Sequence, residues 1–520
     1  MRPWLEIYPD QVTAQFLSRG FEFGFPLPSF SGAGCTIVGN LKSVSHFPQI
    51  VREKVGKEIA EGRIAGPLEH PPFDNFRISP LGAVPKREQN AYRIIQHLSF
   101  PKGDSLNDEI NGELCSVTYA TFEEALVKVR QCGPGALLAK ADIKSAFRLL
   151  PIAPEAFNSL GFYFDGAYFF DRCLPMGCSV SCSYFEAFSS FLHWVVGFQS
   201  GSDKIVHYLD DFLFLGPRDS LCCQELLQAF QETAAQFGVP LAEEKTCTPV
   251  TSLEFLGICI DTCRMEFRLP EAKLVKLNSL ISSFLSRKKV LLKEMQSLLG
   301  VLAFAGRIMP VGRIFSRRLY LAIAGLKSPF VHVRLTSSIK ADLLVWARFL
   351  ETYNGRSFFQ EEFVAAPDFR LFTDAAGSKG FAAIWGTHWC CAAWPESWVV
   401  QEVTRNIVLL ELFPILVALT LWGAQFANKR ILVETDNKGV LFAINCLSSK
   451  SLLVVKILRQ VVFLCLHFNV WLKAKHTPGV QNNLADALSR FQMDRFRQLL
   501  PDADVEGICC PEYLWDLIWT

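Results

Sequence analysis

The sequence predicts an α+β multidomain chain, on three observations. Strand-like and helix-like runs alternate from Pro67 to about Leu269 and again over residues 367–490. Between them, residues 271–345 read as helical and basic. In both mixed regions, acids stand at the ends of apolar runs or inside them. The 520 residues leave room for three or four compact units, at about 100–200 residues each. Half of them are hydrophobic and a fifth charged, which excludes a disordered chain.

Residues 1–49 have weak periodicity and many Gly, Pro and Phe, and read as an irregular extension. Ile50 to Ile64 spaces its apolar residues as one amphipathic helix. The expected divisions are an N-terminal extension at 1–60, a mixed unit at 61–269 and a helical basic region at 270–345. A connection at 346–366, a second α/β unit at 367–490 and a tail at 491–520 follow. In the second unit, strands are expected at 369–374, 380–386, 389–394, 430–435 and 469–474. Helices are expected at 404–424, 437–446, 451–466 and 482–489. The tail, with its Phe, Trp and Pro, reads as a linker or a docking segment.

The net charge of +1 is nearly neutral, so global charge gives no support for a polyanionic partner. Locally, Arg287 to Arg334 holds ten Lys or Arg and the single acid Glu294. That stretch is either a solvated helical face or a surface for a phosphate backbone. The 17 cysteines include no Cys-x-x-Cys pair, which disfavours a zinc ribbon or knuckle. No secretory signal is read, and reduced thiols imply a cytoplasmic or nuclear location. Ile407–Phe426 and Leu452–Leu472 are apolar enough to suggest membrane spans. Glu411, Pro414, Lys456 and Arg459 inside them favour buried helices instead.

Leu137 to Asp142 is an apolar strand ending in an acid. Lys204 to Gly216 has apolar flanks around Asp210-Asp211, as in a hairpin with the acids at its turn. A lone Asp-Asp is most often an ordinary β-turn. Inside such apolar flanks, unpaired charges cost several kcal/mol, and a divalent metal offsets that cost.

The surrounding residues resemble reverse transcriptases. Tyr208-Leu209-Asp210-Asp211 is similar to their Tyr-x-Asp-Asp hairpin, and Ala141-Asp142-Ile143-Lys144-Ser145-Ala146-Phe147 to their first palm motif. Leu174-Pro175-Met176-Gly177-Cys178-Ser179 resembles the Leu-Pro-x-Gly motif. Phe255-Leu256-Gly257-Ile258 resembles the primer grip, with Lys245 just before it. Ser79 to Lys86 and Arg93-Ile94-Ile95 are similar to the fingers motifs. The resemblance covers about residues 60–345, in the family's order. It implies a right-hand polymerase of fingers, palm and thumb, with Asp142, Asp210 and Asp211 holding two Mg²⁺. It also implies that Lys86 and Arg93 grip the triphosphate, and that Phe147 acts as a steric gate against a ribose 2′-hydroxyl. Without the motif, Phe147 reads as a core aromatic. Met176 departs from the Gln usual in retroviral enzymes, which bears on the fine contact to the incoming nucleotide.

The second unit places Asp374 at a strand end before a Gly turn, Glu411 in an apolar helix, and Asp436 at another strand end. His476-Thr477-Pro478-Gly479 precedes Asn482 to Arg490, which contains Asp486. Singly, Asp374 and Asp436 fit turn residues and His476 a loop histidine. Glu411 needs a cation or a metal. Together they resemble the ribonuclease H domain of retroelement polyproteins over about residues 367–490. The resemblance implies that Asp374, Glu411, Asp436 and Asp486 bind two metal ions, and that His476 assists proton transfer or product release.

The implied function is RNA-directed DNA synthesis plus cleavage of the RNA strand of a hybrid, with Mg²⁺ (or Mn²⁺) at each site. The implied partners are RNA template, DNA primer, RNA–DNA hybrid and dNTPs, with no membrane. The motif order looks like the module of DIRS-like or Ngaro-like retrotransposons, whose recombinase or structural protein would be a further partner. Two other readings compete. A host-retained, catalytically inactive nucleic-acid-binding protein is disfavoured because all seven acids are present. An RNA-directed RNA polymerase is disfavoured by Phe147 and by the second unit.

Overall fold

The computed structural model describes residues 1–85, 92–308, 310–352, 356–357, 364–365, 369, 371–427, 429–476 and 482–519, with backbone alone at 310–311, 351–352, 356–357 and 364–365. Its contacts divide it into two compact units: Met1–Leu256 with Asp261–Arg264, and Gly257–Ile260 with Met265–Thr520.

The first unit is built on a four-stranded antiparallel sheet. Its strand order is Ile205–Tyr208, Asp211–Gly216, Leu137–Asp142, Cys247–Val250. After Asp211 every residue of its strand is buried, so the run is continuously apolar rather than alternating. The Phe122–Cys132 and Cys222–Phe237 helices pack against that strand, and the Ser181–Ser200 helix packs against Ile205–Tyr208. Phe185, Phe188, Phe191, Phe212, Phe214 and Phe230 fill the core between them. Each such ring contributes about 2–3 kcal/mol by leaving water. A Leu81–Pro85/Tyr92–Gln96 hairpin and a small sheet of Ile64–Leu68, Ala167–Asp171 and Gly161–Phe164 complete the unit.

The N-terminal segment corrects the expectation of an irregular extension. Arg2–Ile7 and Gln11–Phe23 are helices, the second capped by Asp10, whose carboxylate accepts from Val12 N and Thr13 N at 3.1 Å. Leu5, Ala14 and Leu17 join the same core as Phe188, and Tyr8 packs edge-on against Phe191. The helix expected at 50–64 runs over Pro48–Ala60, with proline at its first position, where no backbone N–H is needed.

The second unit opens with helices Glu271–Ser286, Leu292–Ala305, Arg317–Ile323 and Ser337–Thr352. A short strand pair, Lys289–Leu291 with His332–Arg334, interrupts the expected all-helical stretch. Arg287 forms a two-pronged ion pair with Glu294 at 2.8 and 2.9 Å, which holds that carboxyl down at about 2. Lys288, Lys289, Lys293, Arg307, Arg313, Lys327 and Arg334 stay exposed.

An α/β arrangement follows. Leu371–Ala376, Gly380–Trp385 and His388–Ala393 form an antiparallel meander, and Val364–Ala365, Arg430–Thr435 and Trp471–His476 pair in parallel. The Ile407–Trp422 helix packs against the first two meander strands and against the Leu452–His467 helix, which explains why it is apolar all round. Among the described residues no helix is long and apolar enough to cross a membrane. The tail docks: Trp515 stacks on Phe413 with ring centres 4.7 Å apart, beside Trp394 and Trp398.

Candidate active sites

In the first unit, antiparallel pairing sets Asp142 directly opposite Asp211. Asp142 ends one strand and Asp211 begins its neighbour, so one register brings both acids to one edge of the sheet. Asp210 sits in the turn before Asp211, and its carbonyl accepts from Ile143 N at 3.0 Å. Leu209, at φ 53°, takes the left-handed conformation that lets the chain reverse there. Burial first, then Asp210 and Asp142, push the Asp211 carboxyl up to about 6. Burial and Asp142 raise Asp210, while Lys245 and Arg93 oppose that rise. The three acids therefore share one field, which a cation would relieve.

Lys245, in the Glu243–Lys245 turn, holds Asp142 with its ammonium 2.9 and 2.8 Å from the two carboxylate oxygens. Arg93 is exposed on its strand. Lys86 lies outside the described residues. Phe147 is half-buried in the Ala146–Leu149 turn, edge-on to Phe185 at 5.7 Å. Tyr208 lies against Tyr119, ring centres 4.6 Å apart. Met176 is half-buried beside exposed Gly177. Gly177 has φ 113°, and a Cβ there would lie 2.5 Å from the Gln96 carbonyl oxygen, so this approach requires glycine. Asn107 clamps the same turn, donating to the Gly177 carbonyl at 2.8 Å and accepting from Ser179 N at 2.9 Å. The turn between Ser252–Phe255 and Ile258–Asp261 carries two successive positive φ values, at Leu256 and Gly257.

In the second unit, Asp374 lies on the first meander strand and Glu411 on the apolar helix. Asp436 follows the Arg430–Thr435 strand, and Asp486 sits in the Asn483–Ser489 helix. Burial, then Asp374 and Asp436, push the Glu411 carboxyl up to about 9. Asp374 is raised chiefly by burial, with Asp486 and Asp436 adding to it. The four acids come from four separate elements, and their charges act on one another. Ser489 donates to Asp374 at 2.5 Å, and Arg490 and Arg495 reach the two oxygens of Asp486 at 2.6 and 3.3 Å. His476 is exposed at the end of its strand, paired in register with Thr435, next to Asp436; the following residues 477–481 lie outside the described set.

Hard carboxylate oxygens that repel one another fit a divalent metal in both clusters. Among the described residues, no three His, Cys, Asp or Glu are drawn together into a finished metal-holding set. Instead Lys245 neutralises Asp142, and Arg490 with Arg495 neutralises Asp486.

A family model described as reverse transcriptase (RNA-dependent DNA polymerase) matches residues 85–260. Residues 85–260 are a reverse transcriptase domain of the retroviral or retroelement type. The Gag-Pro-Pol polyprotein of Human T-cell leukemia virus 3 (strain 2026ND) is 29% identical over 176 residues, 34% of this chain and 11% of that protein. The Gag-Pro-Pol polyprotein of bovine leukemia virus is 27% identical over 195 residues, 37% of this chain and 13% of that protein. The chain thus matches roughly a tenth of the length of these relatives.

Among solved structures, the foamy viral protease-reverse transcriptase dRH in complex with double-stranded DNA superposes with a TM-score of 0.50 at 14% identity. The match covers 92% of this chain and 80% of that one. The foamy viral protease-reverse transcriptase bound to RNA/DNA hybrid gives a TM-score of 0.50 at 13% identity, over 91% of this chain and 62% of that one. The fold class is a right-hand polymerase followed by an α/β ribonuclease H-like domain.

Sequence reasoning missed several polar groups around Asp142, Asp210 and Asp211 and in the second cluster. Glu186 and His207, both buried, lie behind the Tyr208–Asp211 turn. Glu186 carried the signal that singled out Glu411, an acid within an apolar helix. Ser489 and Arg490 stood inside the motif around Asp486, but the acid alone drew a role. Arg495 lies nine residues beyond Asp486 and gave no pattern.

Proposed function

We propose that the chain is an RNA-directed DNA polymerase with ribonuclease H activity, the module of a DIRS-like or Ngaro-like retrotransposon. Its substrates would be an RNA template, a DNA primer, dNTPs and the resulting hybrid. The observation that carries this reading is the pairing of Asp142 opposite Asp211, with Asp210 in the adjoining turn. Such a set suits the binding of two divalent ions that a primer hydroxyl and a triphosphate can share.

In the first site Asp142, Asp210 and Asp211 would hold Mg²⁺ (or Mn²⁺), which supplies Lewis acidity for phosphoryl transfer when bound. Arg93, and Lys86 by the motif match, would neutralise the triphosphate. Phe147 and the Met176–Gly177 turn would border the sugar and base, with Tyr208 beside the acids. In the second site Asp374, Glu411, Asp436 and Asp486 would hold the ions against an RNA phosphodiester, with His476 handling a proton. The exposed lysines and arginines of residues 288–334 would follow the nucleic-acid backbone.

The test is primer extension on a labelled RNA template with Mg²⁺ and dNTPs, beside the double change Asp210→Asn, Asp211→Asn. Extension should vanish in the variant while cleavage of the labelled RNA persists. A folded protein that binds hybrid but shows neither activity would favour the inactive binder.

A further inference from the structure

We infer that Glu186 is a positioning residue for the Tyr208–Asp211 turn, holding the backbone N–H of Leu209 from behind. This inference rests on the polymerase reading of that turn. Glu186 lies in the Ser181–Ser200 helix and is 8% exposed, between the core rings Phe185 and Phe188. A carboxylate in such a place is costly unless its oxygens are satisfied. Both are. One accepts from Leu209 N at 3.2 Å, and the other faces His207 Nε2 at 3.2 Å. The chain continues: His207 Nδ1 lies 2.7 Å from His193 Nδ1.

Burial, then His207, lower His193 to about 3, so it is neutral and offers a single N–H. His193 Nδ1 and His207 Nδ1 share one hydrogen bond, His207 Nε2 faces one Glu186 oxygen, and Leu209 N–H donates to the other. The buried His207 ring, backed by the half-buried His193, thus holds the carboxylate, and the carboxylate holds one amide.

That amide is the informative one. Leu209 is a non-glycine residue at φ 53°, a conformation L-residues avoid. Its left-handed turn sends the chain back so that Asp211 enters the strand opposite Asp142. On the far side of the turn the Asp210 carbonyl is held by Ile143 N. Without Glu186, the amide would lose its acceptor in a part-buried setting, and the turn would relax toward a less strained backbone. Asp210 and Asp211 would then lose their shared geometry, although no group touching substrate had changed.

Three variants separate reach from charge. Glu186→Gln keeps an oxygen at the same reach and loses the charge. Glu186→Asp keeps the charge and falls one methylene short. Glu186→Leu removes both. The first readout is amide hydrogen exchange of the 205–212 peptide, which needs no activity. Exchange at the turn should rise about 10–100-fold in the Asp and Leu variants and stay near wild type in the Gln variant. The second readout is single-turnover dNTP incorporation. Its maximal rate should fall about 10–100-fold in the Asp and Leu variants, with dNTP and template–primer affinities unchanged, and should be largely preserved with Gln. If the Leu variant does not fold, the contrast of Gln with Asp decides. A Gln variant as impaired as Asp, or Asp and Leu variants with wild-type exchange and rate, overturns the inference. Wild-type protein without incorporation, but with the expected exchange pattern, overturns the polymerase reading and leaves the role of Glu186 in the turn intact.

Discussion

Lys245 and Asp142 meet end to end, the ammonium within 2.9 Å of both carboxylate oxygens, at the acid that the register sets opposite Asp211. Asp142 is 7% exposed and needs a positive partner, and without a metal that partner is Lys245. The lysine side chain is itself 57% exposed, so the pair is screened and contributes about 1 kcal/mol at most. A metal entering the site competes with that ammonium. Replacing Lys245 with Met should therefore tighten Mn²⁺ binding to the nucleic-acid-free protein by about 2–5-fold, measured by calorimetric titration. Unchanged or weaker binding would show that Lys245 does not oppose the ion.

Glu411 makes the second cluster sensitive to pH. Its carboxyl is pushed from the ordinary range near 4.5 up to about 9 by burial and by Asp374 and Asp436. A raised carboxyl favours the folded state when protonated. Its contribution is thus fully present below the unfolded value and is lost as pH rises through the folded one. In chelator, stability should fall between pH 5 and 9 by up to about 1.4 kcal/mol per pH unit, less for a half-buried group. Glu411→Gln should flatten this slope in thermal melts, and added Mg²⁺ should oppose it. A wild-type slope equal to that of the variant would assign the pH dependence to other groups.

The legible parts of the chain were those where one local signal sufficed. Short apolar runs ended by an acid gave the strands at Leu137–Asp142 and Arg430–Thr435, and the uniformly apolar run around Glu411 gave a buried helix. The N-terminal helices were illegible because their packing residues are sparse and Gly20 interrupts them. The structure explains that glycine: a Cβ there would lie 2.4 Å from the Phe25 ring. The Lys289–Leu291/His332–Arg334 pair joins three-residue strands some 40 residues apart, too short to leave a period. The acids of both sites were legible because motifs hold them. Lys245 was legible only by its place before the primer-grip motif, and no local pattern hinted that its ammonium would rest on Asp142.

Phe147 has two roles to separate. It packs edge-on against Phe185, yet is only half-buried, so part of the ring remains free to border a nucleotide sugar. Phe147→Ala should cost about 1–2 kcal/mol of stability, below the roughly 3–5 of a fully buried ring. If the ring also gates the sugar, the ratio of ribonucleotide to deoxyribonucleotide incorporation should rise about 10-fold or more. The ratio does not depend on how much of the protein is folded. A destabilised variant with an unchanged ratio would leave Phe147 as packing alone.

Asp342 is the most deeply buried charged side chain among the described residues of the second unit. It is completely buried in the Ser337–Thr352 helix, paired with Arg459 of the Leu452–His467 helix and 3.5 Å from Arg318. One of its oxygens has no hydrogen-bond partner, and Arg459 also lies over the Phe315 ring at 4.7 Å. The pair therefore joins the basic helices to the α/β part of the same unit. Removing one member strands the other. Asp342→Ala should destabilise the unit by about 3–5 kcal/mol, because Arg459, largely buried, loses its counter-charge. Replacing both, as Asp342→Leu with Arg459→Met, should recover most of that loss, since an apolar pair of similar volume has no charge to desolvate. Urea unfolding of the full chain would measure both. A double variant as unstable as the sum of the single ones would mean that the pair is not the unit of stability, and that Asp342 and Arg459 act through separate contacts.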